Sequence, residues 1–142
     1  MDTKVKILVV EDDDDLRRGL TVRLRSNGYE VVTAQDGVSA VSVARIELPD
    51  LVLLDLGLPA GDGFKVLERY ANMPNLCTIP VIVLSGRDPQ FAEPAVRKFH
   101  VAGFLSKPAE NEVLMDSIER ALRGEVTVAP RYGEWAAAPE WH

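Results

Sequence analysis

Short apolar runs alternate along this chain with longer amphipathic stretches. Strands are expected at residues 5–10, 30–34, 51–55, 80–85 and 101–105. The runs at 5–10 and 51–55 carry almost no polar alternation, which suits a parallel sheet covered on both faces. Between the strands, apolar residues return at helical spacing. Leu16, Leu20 and Leu24 lie at steps of four in a helix over 14–26 that stops near Asn27 and Gly28. Val38, Val41 and Ala44 face inward in a helix that follows Asp36 and Gly37 and ends before Pro49. A third helix begins near Gly63 and buries Val66, Leu67 and Tyr70, and a last one over 110–123 buries Leu114, Ile118 and Leu122. A fourth helix is expected over 90–99, but Pro94 falls inside it. A mid-helix proline costs about 3 kcal/mol, so that helix is expected to be short, kinked or late-starting. Five strand–helix units in series imply an α/β fold with a doubly wound, five-stranded parallel sheet and five helices.

The chain has 142 residues, 46% of them hydrophobic and 27% charged, as expected of one soluble domain with a two-sided core. A net charge of −6 argues against direct nucleic-acid binding. Cys77 is the single cysteine and cannot form an internal disulfide, which points to a reducing, cytoplasmic setting. No apolar run approaches the roughly 20 residues that cross a bilayer, so membrane insertion is not expected. After Gly124 the alternation breaks, giving a domain over 1–124 and a tail or linker over 125–142. That tail is too short for an output domain, yet Tyr132, Trp135 and Trp141 make a docking role an alternative. His100 and His142 have no liganding neighbours in the sequence.

Chemistry gathers at the strand ends. The third strand ends on Asp55 and runs into Gly57 and Pro59; the first runs into Glu11 and Asp12. In open parallel sheets, ligands bind beyond the carboxyl ends of the strands. If the two strands are neighbours, Glu11, Asp12 and Asp55 crowd together, and a hard divalent cation such as Mg2+ relieves their repulsion. Acidic residues there also suit a helix N-terminus, and Asp13 or Asp14 is expected to cap the helix. The fourth strand ends at Ser85 and the fifth is followed by Lys107 and Pro108. Alone, a serine there is usually a cap and a lysine a solvated surface group. Together with the acidic cluster they make a phosphate-handling set: Lys107 and the metal neutralise phosphoryl oxygens, Ser85 donates a hydrogen bond and Asp55 attacks phosphorus.

Glu11 and Asp12 after the first strand, Asp50 and Asp55 with Leu58, Pro59, Asp62 and Gly63, then Val83 to Ser85, then Phe104, Lys107 and Pro108 together resemble the receiver domain of two-component response regulators. The resemblance spans about residues 4–123 and implies a flavodoxin-like fold of the receiver type. It implies that Asp55 accepts a phosphoryl group from a phosphohistidine on a sensor histidine kinase or phosphotransfer protein. It implies that Glu11, Asp12, Asp55 and the main-chain carbonyl of Gly57 surround Mg2+, and that Ser85 and Lys107 contact the phosphoryl oxygens. Phe104 takes the aromatic switch position, turning inward as Ser85 moves; it keeps the packing change but lacks the hydroxyl of a tyrosine. The face made by the fourth helix, fifth strand and fifth helix would then be read by a downstream protein. A homodimer through that face or the tail is compatible with this. On this reading the chain is a self-modifying switch rather than an enzyme.

Some positions depart from the usual pattern. Gly57 has no side chain to position water, and Arg87 is long and charged at the other flank of the phosphate, so the phosphate lifetime does not follow from the resemblance. Pro89 and Pro94 fall on the expected signalling face. Two other readings remain: a receiver-like interaction module that works without phosphate, and an aspartyl-nucleophile phosphatase of the haloacid dehalogenase type. The second requires an acid two residues after the nucleophile, where this chain has Gly57.

Overall fold

The computed structural model describes residues 4–59, 62–86, 99 and 101–126. In chain order these form β1 (Lys6–Val10), α1 (Asp14–Ser26), β2 (Glu30–Ala34), α2 (Gly37–Glu47), β3 (Leu51–Asp55), α3 (Asp62–Ala71), β4 (Val81–Ser85), β5 (Gly103–Ser106) and α4 (Asn111–Leu122). Helix α4 is the one expected as fifth; of the stretch 90–99 expected to hold the fourth, only Phe99 is described. Arg87, Pro89 and Pro94 lie outside the described residues, as does the tail from residue 127 onward.

The five strands form one parallel sheet in the order β2-β1-β3-β4-β5. Chain progression reverses between β1 and β3, so their carboxyl ends flank a topological switch point. The register aligns those ends: Val10 lies opposite Leu54, Asp55 opposite Leu84, and Ser85 opposite Ser106.

Each face of the sheet is sealed by helices. On one face, Leu8, Val10, Val52, Leu54 and Val83 pack with Ala40, Val41 and Ala44 of α2 and with Val66, Leu67 and Tyr70 of α3. On the other, Ile7, Val9, Leu51, Leu53, Ile82 and Leu84 pack with Leu20 and Leu24 of α1 and with Leu114 and Ile118 of α4. This two-sided burial explains why β3 and β4 read as unbroken apolar runs, every residue of both being buried. Tyr70 stitches α3 to α2, its hydroxyl donating to the Ala40 carbonyl at 2.7 Å.

Several expectations need correction. Val38 is 76% exposed rather than inward. The buried stripe of α2 is Ala40, Val41 and Ala44, and at about 100° per residue Val38 lies roughly 110° from its middle. Leu16, in the first turn of α1, shares the stripe of Leu20 and Leu24 but is half exposed. Strand β5 starts at Gly103, two residues later than expected. The Lys107–Pro108 peptide is cis, and α4 begins at Asn111.

Candidate functional site

Four strand ends build the site. Past the end of β1, the Glu11 N–H still bonds to the Ala34 carbonyl at 3.0 Å, which holds Glu11 at the mouth of the crevice. Asp13, in extended conformation, caps α1 by accepting from the Leu16 N–H at 2.9 Å. The chain thereby turns sharply enough to leave Glu11 and Asp12 beside Asp55. One oxygen from each of Glu11, Asp12 and Asp55 lies within 4.8 Å of the others.

Lys107 reaches the same point from the end of β5. Its Nζ is 2.9 Å from Glu11 Oε1 and 3.1 Å from Asp55 Oδ1, so one ammonium bridges two buried carboxylates. The Lys107 N–H donates to the Ser85 carbonyl at 2.8 Å, which fixes the lysine backbone against the end of β4. Ser85 itself is 1% exposed. Asp55 Oδ1 also accepts the Gly57 N–H at 2.8 Å.

Burial pushes the Glu11 carboxyl above its ordinary range; hydrogen bonds from Lys107 and the Asp13 N–H oppose this, and Asp55 adds to it. For Lys107, burial alone pulls the ammonium down, but hydrogen bonds to Glu11 and Asp55 outweigh it and the pKa is raised. The ammonium therefore stays charged across the physiological range. Three carboxylates against one ammonium leave two negative charges in a mostly buried crevice. A donor set of hard oxygens with that deficit fits Mg2+, which is bound through one or two carboxylates with waters and phosphate oxygens.

Glycines shape the floor of the site. A Cβ at Gly63 would sit 2.8 Å from the Leu56 carbonyl oxygen and 3.1 Å from that of Asp55, so α3 presses directly on the segment carrying Asp55. A Cβ at Gly57 would lie 3.3 Å from Asp55 Oδ1, so the glycine leaves that carboxylate uncovered by a side chain there.

A family described as response regulator receiver domain matches residues 7–119. The chain belongs to the response regulator receiver family. The receiver is 30% identical over 119 residues to Protein PilH of Pseudomonas aeruginosa, covering 84% of this chain and 98% of that one. It is 32% identical over 123 residues to the response regulator PleD of Caulobacter vibrioides, covering 87% of this chain but only 27% of PleD. Among solved structures, a response regulator described as putative from Chloroflexus aurantiacus superposes with a TM-score of 0.80 at 30% identity, covering 85% of this chain and 99% of that one. The receiver thus spans nearly all of some relatives and a minor part of others.

Glu11, Asp12, Asp55 and Lys107, singled out in the sequence, converge on one point of the receiver, with Ser85 at the neighbouring strand end. Gly57 takes part through its N–H; its carbonyl enters only as a proposed ligand below. Phe104 is 2% exposed and packs in the core beside Leu54 and Val83. Arg17 escaped the sequence reading, and Gly63 entered it only as a helix start and a motif residue. Arg17 donates from Nη1 to the Glu11 carbonyl at 2.9 Å, and Gly63 admits α3 to the Asp55 segment. An arginine in the first turns of a helix, where the dipole favours anions, was the available signal for the former.

Proposed function

We propose that this receiver takes a phosphoryl group onto Asp55 from a phosphohistidine of a sensor kinase or phosphotransfer protein. The observation that carries the proposal is the placement of Asp55 Oδ1, 3.1 Å from Lys107 Nζ within the cluster of three carboxylates at the switch point. With Oδ1 anchored by Lys107 and Gly57, Oδ2 is the oxygen assigned to attack. An Asp55 O–P bond forms as the P–N bond to imidazole breaks, and the departing imidazole takes up a proton. Lys107 then shifts from Glu11 and Asp55 to the incoming phosphoryl oxygens, and Ser85 donates to another. Glu11, Asp12, Asp55 and the Gly57 carbonyl would hold Mg2+, which supplies charge neutralisation at the phosphoryl oxygens when bound.

Phosphorylation-based two-component signalling is the setting of the family. The finer assignment is a cytoplasmic switch that modifies itself rather than an enzyme turning over a diffusible substrate. Among the described residues, no helix is long and apolar enough to cross a membrane. Ser85 and buried Phe104, on adjacent strands, would couple the phosphate to the face of β5 and α4 that a downstream protein reads.

The test is intact-mass spectrometry after incubation with Mg2+ and acetyl phosphate. A gain of about 80 Da, one phosphoryl group, is expected for wild type and not for Asp55→Asn. Equal labelling of both would sink the assignment of Asp55. If neither is labelled and neither binds beryllofluoride, the phosphate-independent reading takes its place.

A further inference from the structure

We propose that Arg17 is a positioning residue for cation binding, holding residues 11–14 so that Glu11 and Asp12 stay aimed at Asp55. This rests on the cation site proposed above. Strand β1 ends at Val10, so the Glu11 carbonyl lies just past the sheet ladder. Arg17 supplies the donor, with Nη1 at 2.9 Å from that oxygen, while its Nη2 pairs with the Asp14 carboxylate. The Arg17 side chain is only 19% exposed, whereas that of Asp14 is 70% exposed. The Glu11 end is therefore the sheltered and stronger half of the bridge.

The rest of this turn is tied locally. Glu11 Oε2 accepts the Asp13 N–H at 3.2 Å, and Asp13 Oδ1 accepts the Leu16 N–H at 2.9 Å. Neither bond links the helix directly to the main chain of Glu11; Arg17 does. A planar fork that meets two acceptors at once is a task for arginine rather than lysine. The dipole disfavours a cation near a helix N-terminus, and the i,i+3 pair with exposed Asp14 is the weaker local reason for the charge.

Two physical effects of Arg17 act in opposite directions, so the sign of one measurement separates them. As a bare charge near three carboxylates, Arg17 repels a cation, and removing it would tighten Mg2+ binding. As a positioning group it preorganises two ligands, and removing it loosens binding. Loss of a ligand-orienting partner typically weakens metal affinity by roughly 10–100-fold.

The experiment is Mg2+ titration by calorimetry on the full 142-residue chain for wild type, Arg17→Gln and Arg17→Lys, with thermal melts in the absence of metal. The expected result is a Kd raised roughly tenfold or more in both variants, with equal labelling by acetyl phosphate once Mg2+ is saturating. The lysine variant keeps the charge and guards against loss of folding. Tighter binding in Arg17→Gln with a wild-type Kd in Arg17→Lys would overturn positioning in favour of charge alone. A lowered melting temperature with an unchanged Kd would also overturn it, showing a purely structural role. Absence of Mg2+ binding by the wild type would overturn the cation site itself, a result distinct from variants that bind like wild type.

Discussion

Replacing Gly63 and Gly19 by alanine is expected to move stability in opposite directions, although both glycines lie in helices. At Gly63 the added methyl would stand 2.8 Å from the Leu56 carbonyl oxygen, 2.9 Å from Leu56 Cα and 3.1 Å from the Asp55 carbonyl oxygen. These are backbone atoms and cannot rotate aside. Carbon contacts are comfortable at about 3.5–4.0 Å, so α3 must retreat by roughly half an ångström or more. That retreat loosens Val66, Leu67 and Tyr70, all buried against the sheet. Overpacking of this kind costs about 1–3 kcal/mol, offset by the roughly 0.5–1 kcal/mol that alanine gains over glycine inside a helix. A net loss of roughly 0–2.5 kcal/mol, centred near 1, follows for Gly63→Ala. At Gly19 nothing lies within 4 Å of the added methyl, so the helix term stands alone and a gain of about 0.5–1 kcal/mol is expected. Urea unfolding followed by far-ultraviolet circular dichroism measures both. With a slope of about 1–3 kcal/mol per molar urea, the two midpoints should separate by on the order of 1 M. A Gly63→Ala midpoint at or above wild type would refute the close-approach argument.

Tyr70→Phe removes a buried hydroxyl that donates to the Ala40 carbonyl, and should cost about 1 kcal/mol in chemical denaturation; an unchanged midpoint would show that the α2–α3 link is dispensable. The site also predicts an inverted pH dependence. Glu11 has a folded-state pKa above its usual 4.5, so its contribution to metal-free stability is greatest on the acid side and declines as pH rises through the window above 4.5. Lys107, raised above 10.5, contributes stability that is present below that value and is lost as pH climbs through its folded-state pKa. In metal-free protein the stability difference between wild type and Glu11→Gln should therefore fall as pH rises above 4.5, and saturating Mg2+ should reverse that slope. A difference that rises with pH without metal would contradict the burial argument for Glu11.

The sequence by itself determined the class of fold and the inventory of chemistry. Apolar runs without alternation required a sheet covered on both faces, and strand–helix repetition required that sheet to be parallel. Strand ends that carry Glu11, Asp12, Asp55, Ser85 and Lys107 were legible because such ends have one address in this architecture. The bounds of β2, β3 and α1 were legible for a similar reason: Asn27, Gly28, Asp36 and Pro49 punctuate the chain locally.

Tertiary structure alone decided how the pieces meet. The exposure of Val38 and Leu16 depends on where each helix lies over the sheet, which periodicity within one helix does not encode. The Lys107 bridge from Glu11 to Asp55 spans 96 residues of chain and exists only because the order β2-β1-β3-β4-β5 brings those strand ends together. The Gly63 contact and the reach of Arg17 to the Glu11 carbonyl are matters of tenths of an ångström between separate elements. Local preference selects elements because backbone sterics and side-chain period act over a few residues. Contacts between elements are selected by close packing of the whole core, and no short stretch of sequence contains that information.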